Sequence, residues 1–185
     1  GTTFVFRKHI NAAQKKVNAL KALKLIKNGD VIFLDGSTSA FFLVEYLNEF
    51  SDITVVTNGI EALAALSNCG VNAISTGGTV LKANNATLVG DFALNTIEKI
   101  HADIVFFSCA AISKNGTLSD YYAEEIAIRR KMIQNSTTSV LLCDSEKLNK
   151  TKPFFVANLC DIDYLVIDSD PKYLTDLKPK KEIIN

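Results

Sequence analysis

The stretch Val31-Ile32-Phe33-Leu34-Asp35-Gly36-Ser37-Thr38-Ser39 joins a continuous apolar run to a turn of small polar residues. Four consecutive β-prone apolar residues suit a strand covered on both faces, as in the middle of a parallel sheet. Residues 41–47, beyond the turn, regain helical character. Strand, turn and helix in that order form the repeating unit of α/β architecture. On the N-terminal side, Ala13, Val17, Leu20, Leu23 and Leu25-Ile26 approximate helical spacing across residues 10–26, and Asn28-Gly29 supplies the stop.

The unit recurs downstream. Residues 53–56 read as a second strand, after which Asn58 is expected to cap a helix carrying Leu63 and Leu66, with Glu61 at the capping-box position. Residues 71–75 read as a third strand, ended by Gly77-Gly78, and residues 81–87 as a polar loop running into a short strand at Leu88-Val89. Asp91 is expected to cap a helix ending near Ile100, and Asp103 to precede a strand over 104–107. A helix over 122–134, a strand over 139–142 and a final parallel strand over 164–167 follow, with residues 154–156 a weaker strand candidate. No repeat, low-complexity tract or linker divides the chain, so residues 1–185 are expected to form one domain. The fold class is α/β: a Rossmann-like, mainly parallel sheet of about six or seven strands with helices on both faces.

Composition removes several functions. With 48% hydrophobic and 22% charged residues the chain is globular rather than disordered. Twenty Lys and Arg balance twenty Asp and Glu, so no net field favours a polyanion, and direct DNA binding is not expected of this chain. Cys69, Cys109, Cys143 and Cys160 form no CxxC pair, and His9 and His101 are too few for a histidine-based metal site or a Ser/His/acid triad. The cysteines read as reduced packing residues, with no metal or cofactor expected. The absence of a long apolar run and of a signal-peptide core predicts a soluble, cytoplasmic protein without membrane contact.

Ligands of parallel α/β sheets bind beyond the carboxyl ends of the strands. Those ends carry Asp35, Gly36, Ser37, Thr38 and Ser39, then Thr57, Asn58 and Gly59, then Thr76, Gly77 and Gly78, then Ser108 onward. Gly36 allows a tight turn, the hydroxyls donate hydrogen bonds, and the helix start presents free N–H groups, which together suit a phosphate. The same string also suits a plain turn with a helix cap, and Gly77-Gly78 a simple turn. Neither the GxxxxGK[ST] phosphate loop nor a GxGxxG dinucleotide turn is present. Lys147, in Asp144-Ser145-Glu146-Lys147, offers a cation to a ligand or a solvated surface charge. Glu125 and Arg129, at i and i+4, read as an exposed helix pair, and Asp120 with Tyr121-Tyr122 either contacts ligand hydroxyls or closes a loop.

Taken together, these segments resemble the C-terminal sensor domain of DeoR-family bacterial transcription regulators. That fold is shared with ribose-5-phosphate isomerase, glucosamine-6-phosphate deaminase and CoA transferases. The resemblance rests on Phe6-Arg7, Asn28-Gly29-Asp30, Ile32 to Thr38, Val55-Val56-Thr57-Asn58 and Gly77-Gly78. It continues through Gly90, Asp103, Gly116, Glu125 with Arg129, Met132-Ile133, Leu142 with Asp144 and Lys147, and Asp161-Ile162-Asp163. It implies a phosphorylated-sugar effector bound by Asp35, Gly36, Ser37, Thr38, Ser39, Thr57, Asn58, Gly77, Gly78, Asp120 and Lys147. It further implies an N-terminal helix-turn-helix, absent from this chain, that carries the contact with operator DNA, and a homo-oligomer, dimer or tetramer. Two positions depart from the family: Ser108-Cys109-Ala110-Ala111-Ile112 replaces the usual glycine pair, and Arg129 the usual lysine.

The alternative is a sugar-phosphate isomerase or deaminase of the same fold, which needs a carboxylate base beside the substrate carbon. Related isomerases keep acidic residues just after the strand matching 104–107, where this chain has Ser108-Cys109-Ala110-Ala111. Asp35, Asp120 and Glu124 remain as carboxylates that could act from elsewhere in the chain, but a non-enzymatic regulator domain without catalytic residues is expected.

Overall fold

A computed structural model describes residues 3–185. Seven strands form one parallel sheet: β1 (Val31–Leu34), β2 (Thr54–Thr57), β3 (Asn72–Ser75), β6 (Ala102–Phe107), β9 (Ser136–Cys143), β11 (Tyr164–Ile167) and β12 (Glu182–Ile184). Their order across the sheet is β12-β11-β9-β6-β1-β2-β3, and every neighbouring pair is parallel. The α/β sheet expected from the alternating pattern is therefore present, with β1 near its centre. The remaining strands lie outside it. β4 (Thr79–Val80) and β5 (Leu88–Val89) form an antiparallel pair, and β7 (Ala111–Ile112), β8 (Thr117–Asp120) and β10 (Phe154–Asn158) form an antiparallel sheet.

Period-two alternation sends successive strand residues into two cores. Phe33, Val105, Phe107 and Leu141 meet α5 (Asp91–Glu98) and α6 (Ala123–Gln134) on one face, through Ile97, Ile126 and Met132. Ile32, Leu34, Phe106 and Leu142 meet α2 (Ala12–Ala22), α3 (Thr38–Phe41) and α4 (Ile60–Leu66) on the other, through Ala19, Ala40 and Leu66. Since both faces are covered, β1 can be apolar throughout, which is why its sequence lacks alternation.

Several local expectations are corrected by tertiary partners. Gly59, not Asn58, caps α4, because the Asn58 amide instead donates to the Leu88 carbonyl at 3.0 Å and ties β2 to β5. Gly90, at φ 88°, caps α5, leaving Asp91 as its first residue, where a carboxylate still complements the helix dipole. The helix expected over 41–47 starts earlier, since Ser37 Oγ accepts from the Ala40 N–H at 3.1 Å, and continues as a 3-10 turn at Val44–Glu49. Residues 154–156 pair with β8 rather than joining the parallel sheet, and β11 is not its last strand, because β12 lies outside it. The charged approach to β12, Lys180-Lys181-Glu182, is the composition that keeps a sheet edge from recruiting another strand.

In α2 the buried positions are Lys15, Asn18, Ala19 and Ala22, while Val17 and Leu20 are 46% and 48% exposed. The apolar residues taken to mark the inward face thus include two that point outward. A polar pair points inward instead, because this helix faces the strand ends as well as the core. A short α1 (Phe4–His9), capped by Thr3, precedes it.

Candidate functional site

The sheet grows in opposite directions from β1: β2 and β3 lie on one side and β6 and β9 on the other. This switch of direction opens a crevice beyond the carboxyl ends, the usual ligand position in open α/β sheets. A cavity of about 490 Å³ occupies it. Its walls come from Ser37, Thr38 and Ser39 after β1, Ser108 to Ala110 after β6, and Asp144 with Lys147 after β9. Lys15 enters from α2, Asp120 from the end of β8, and Glu125 and Arg129 from α6.

A buried ionic network sets the geometry. Arg129 Nε donates to Asp35 at 2.9 Å, Nη1 to Asp120 at 2.8 Å, and Nη2 reaches Glu125 at 3.4 Å. Burial works against the guanidinium charge, but Asp120, Asp35 and Glu125 together raise its pKa further above the ordinary value. The exposed pair expected at 125 and 129 is therefore corrected: both side chains are buried, because α6 lies directly over the ends of β1 and β8. Asp35 has no acceptor left for a ligand. Its Oδ1 receives the Ser37 N–H and hydroxyl, while Oδ2 receives Arg129 and the Ser108 N–H at 3.0 Å. Glu125 is likewise engaged, accepting from the Thr87 hydroxyl at 2.8 Å and from the Asn84 amide.

The donors left over point to an anion. Ser37 is consumed by Asp35 and by its capping role, but the Thr38 and Ser39 hydroxyls have no hydrogen-bond partner among the described residues. Both residues are buried and line the cavity. In α3 the Ala40 and Phe41 N–H groups donate to the Ser37 hydroxyl and carbonyl, which leaves those of Thr38 and Ser39 without an intrahelical partner. Lys147 donates to Ser108 Oγ at 3.0 Å, and that hydroxyl donates to the Leu142 carbonyl at 2.7 Å. Burial opposes the Lys147 charge, yet neighbouring Cys143 and Asp144 raise its pKa above the ordinary value. Lys15 is only 5% exposed and donates to the Arg7 carbonyl at 2.6 Å. Burial first, then the nearby Lys147 charge, lowers its pKa to about 8. Two ammonium groups that repel one another across a cavity lower the energy of any anion placed between them. Cys109 also lines the cavity, but burial pushes its thiol up to about 11, so it is not a thiolate at neutral pH.

Of the residues singled out from the sequence, Ser37, Thr38, Ser39, Asp120 and Lys147 converge on this cavity. Asp35 sits behind them. Gly36, Thr57, Asn58, Gly77 and Gly78 do not line it, and serve the framework instead. A Cβ on Gly36 would meet Thr87 Cγ2 at 2.2 Å, so this glycine permits loop-to-loop contact, with Gly59 Cα also at 3.3 Å from that Cβ. Thr57 Oγ1 accepts from the Gly59 N–H at 3.0 Å. Gly78, at φ 116°, has the Val89 carbonyl 2.6 Å from the position of a Cβ, and shapes the β4–β5 hairpin. Lys15, Arg7 and Asn84 were not assigned a role from the sequence. The only signal for Lys15 was its place three residues before Asn18, a polar pair that follows the spacing of Ala19 and Ala22.

A parallel α/β sheet with a cavity at its switch point is the fold of ribose-5-phosphate isomerase. The chain belongs to the DeoR C-terminal sensor domain family, whose model matches residues 10–169. An HTH-type transcriptional regulator of Bacillus subtilis, YulB, is 33% identical over 181 residues, covering 96% of this chain and 69% of that protein. The L-fucose operon activator of Haemophilus influenzae is 36% identical over 169 residues, covering 91% and 67%. The glycerol-3-phosphate regulon repressor of the same organism is 27% identical over 187 residues, covering 98% and 72%. Among solved structures, a D-ribose-5-phosphate isomerase in complex with phospho-erythronic acid superposes with a TM-score of 0.54 at 20% identity, covering 74% of this chain and 54% of that one. The eIF2B delta subunit of Chaetomium thermophilum superposes at 0.63 with 16% identity, covering 85% and 56%. These two likenesses concern the fold alone, and the chain spans about half the length of either structure.

Proposed function

We propose that this domain is the effector-binding part of a transcription regulator of sugar metabolism, and that its effector is a phosphorylated sugar or a related metabolite. One observation carries the reading: Thr38 and Ser39, whose hydroxyls have no hydrogen-bond partner among the described residues, line a cavity together with Lys15 and Lys147. Hydroxyls and N–H groups at a helix start with flanking ammonium groups suit a phosphoryl group. The remaining wall, with Asp120 and Tyr122, offers acceptors and donors for sugar hydroxyls. The names of the relatives, which include fucose operon and glycerol-3-phosphate regulators, support the same class of effector.

Residues 1–185 act as one sensing domain of a homo-oligomer, a dimer or tetramer. Operator DNA is contacted through an N-terminal helix-turn-helix outside this sequence, and effector occupancy shifts the population of DNA-competent arrangements. The domain is not an isomerase or deaminase. Of its cavity carboxylates, Asp120 and Glu125 are held by Arg129 and Asp144 and Glu146 accept from the Asn11 amide, rather than being free to take a carbon-bound proton, and no carboxylate directly follows β6. A thermal-shift screen of aldose and ketose phosphates against their unphosphorylated parents tests the reading, since ligands of the folded state raise its melting temperature. Phosphorylated compounds alone should stabilise the protein, and Thr38→Ala with Ser39→Ala should remove the effect. A panel without hits refutes the effector site, and turnover of any hit, followed by chromatography, refutes the non-catalytic role.

A further inference from the structure

Helix α1 lies against the cavity mouth, where Arg7 joins the lining. Several contacts hold it there, among them Lys8 Nζ over the Phe41 ring at 4.8 Å from its centroid. Phe4 packs edge-on against Phe41 with ring centroids 5.5 Å apart, and Lys15 reaches the Arg7 carbonyl. Just beyond α1, Asn11 takes a left-handed conformation at φ 54° and donates to Glu146 at 2.9 Å and Asp144 at 3.4 Å, bridging to the loop that carries Lys147. The Arg7 guanidinium is unlike these. It makes no ion pair or side-chain hydrogen bond among the described residues, and its Nη2 is shut off from solvent without an acceptor. A charged donor buried without an acceptor is unfavourable, and a second buried polar group without a partner, the neutral Ser39 hydroxyl, belongs to another residue that lines the cavity. Guanidinium is also the group best shaped to take two oxygens of one phosphoryl group.

We propose that Arg7 is an effector-binding residue that takes oxygens of the phosphoryl group seated at Thr38, Ser39 and Lys147, so that occupancy clamps α1 against the cavity. This deepens the effector reading and rests on it. The free protein holds Arg7, Lys15 and Lys147 close together with like charge, an arrangement that favours a loosened α1, and the phosphoryl group reverses the balance. Ligand occupancy is thereby converted into the position of the helix on the N-terminal side of the domain.

The test uses the whole chain with inorganic phosphate and ribose 5-phosphate as probes, and the variants Arg7→Ala, Arg7→Lys and the Thr38→Ala, Ser39→Ala pair. Chemical-shift titration should give at least about tenfold weaker binding of both probes by Arg7→Ala, the usual scale for one charge-assisted contact, with partial recovery in Arg7→Lys. Because Arg7→Ala removes a donor without a partner and one of three like charges, the unliganded melting temperature should hold or rise rather than fall. Trypsin cleavage after Lys8 should slow with either probe in the wild type and not in Arg7→Ala. Binding by Arg7→Ala within twofold of wild type, with binding lost in the Thr38→Ala, Ser39→Ala pair, overturns the role of Arg7 and leaves the cavity site standing. Unchanged cleavage in a saturated wild type overturns the clamp. A wild type that binds neither probe overturns both the clamp and the phosphate site.

Discussion

Replacing Arg129 by methionine would leave Asp35, Asp120 and Glu125 gathered around an apolar side chain of similar length. Removing one partner of a buried ion pair costs about 3–5 kcal/mol, because the other charge remains desolvated. Three carboxylates do not triple this loss, since each keeps other donors: Ser37 and Ser108 for Asp35, the Tyr121 N–H at 2.7 Å for Asp120, and Thr87 with Asn84 for Glu125. A loss in the range for a single pair is therefore expected, against a total stability of about 5–15 kcal/mol for a domain. At about 2–4 °C per kcal/mol for a chain of this size, the melting temperature should fall by about 6–20 °C. Urea denaturation at pH 7.5 measures the loss directly. Arg129→Lys should recover less than half of it, because one ammonium cannot reach three carboxylates that the guanidinium meets with three separate nitrogens. Adding Asp35→Asn to Arg129→Met should restore stability, since it removes one of the stranded charges. A loss below about 1 kcal/mol for Arg129→Met, or no recovery on adding Asp35→Asn, would refute the claim that this network organises the site.

Gly36→Ala should cost about 1–3 kcal/mol by overpacking against Thr87, and Thr87→Ser, which deletes the clashing Cγ2 but keeps the hydroxyl bonded to Glu125, should recover most of it in chemical denaturation. Ser39→Ala should raise the unliganded stability by about 1 kcal/mol, by removing a buried hydroxyl without a partner, while weakening sugar-phosphate binding in the same titration. Lys15 has a folded pKa of about 8 against 10.5 for the free side chain, so between these values the unfolded chain binds more protons and stability contributed through this group rises with pH. The melting temperature of wild type relative to Lys15→Met should therefore increase between pH 7.5 and 9.5; a flat difference would contradict the buried placement of Lys15. For the same reason, phosphate binding should be accompanied by proton uptake near pH 8.5, seen calorimetrically as a heat that varies with buffer ionisation enthalpy.

The elements that were legible in the sequence are those whose determinants are local. β1 and its turn could be read because four apolar residues and a run of small polar ones adjoin one another. Where a side chain had a choice of partners, local reading failed. Asn58 carries the right group for a cap, yet the Leu88 carbonyl, thirty residues away in sequence, claims it. Gly36 and Gly78 look like ligand-approach glycines, and the contacts they permit are with Thr87 and Val89. Val17 and Leu20 look like a buried stripe, but a helix that lies over strand ends as well as sheet can turn polar residues inward.

From the sequence alone followed the alternation of strands and helices, the central parallel strand, the hydroxyl-rich turn after it and the resemblance to a sensor family, all properties of short segments and their order. Only the tertiary structure decided which charges meet. Glu125 and Arg129 have the same i, i+4 spacing whether solvated or buried, and it is the arrival of Asp35, 94 positions before Arg129, that makes them the frame of a cavity. Lys15, Lys147 and Arg7 become one cationic cluster for the same reason: the energy of a charge depends on its neighbours in space and on its access to water. Sequence separation specifies neither.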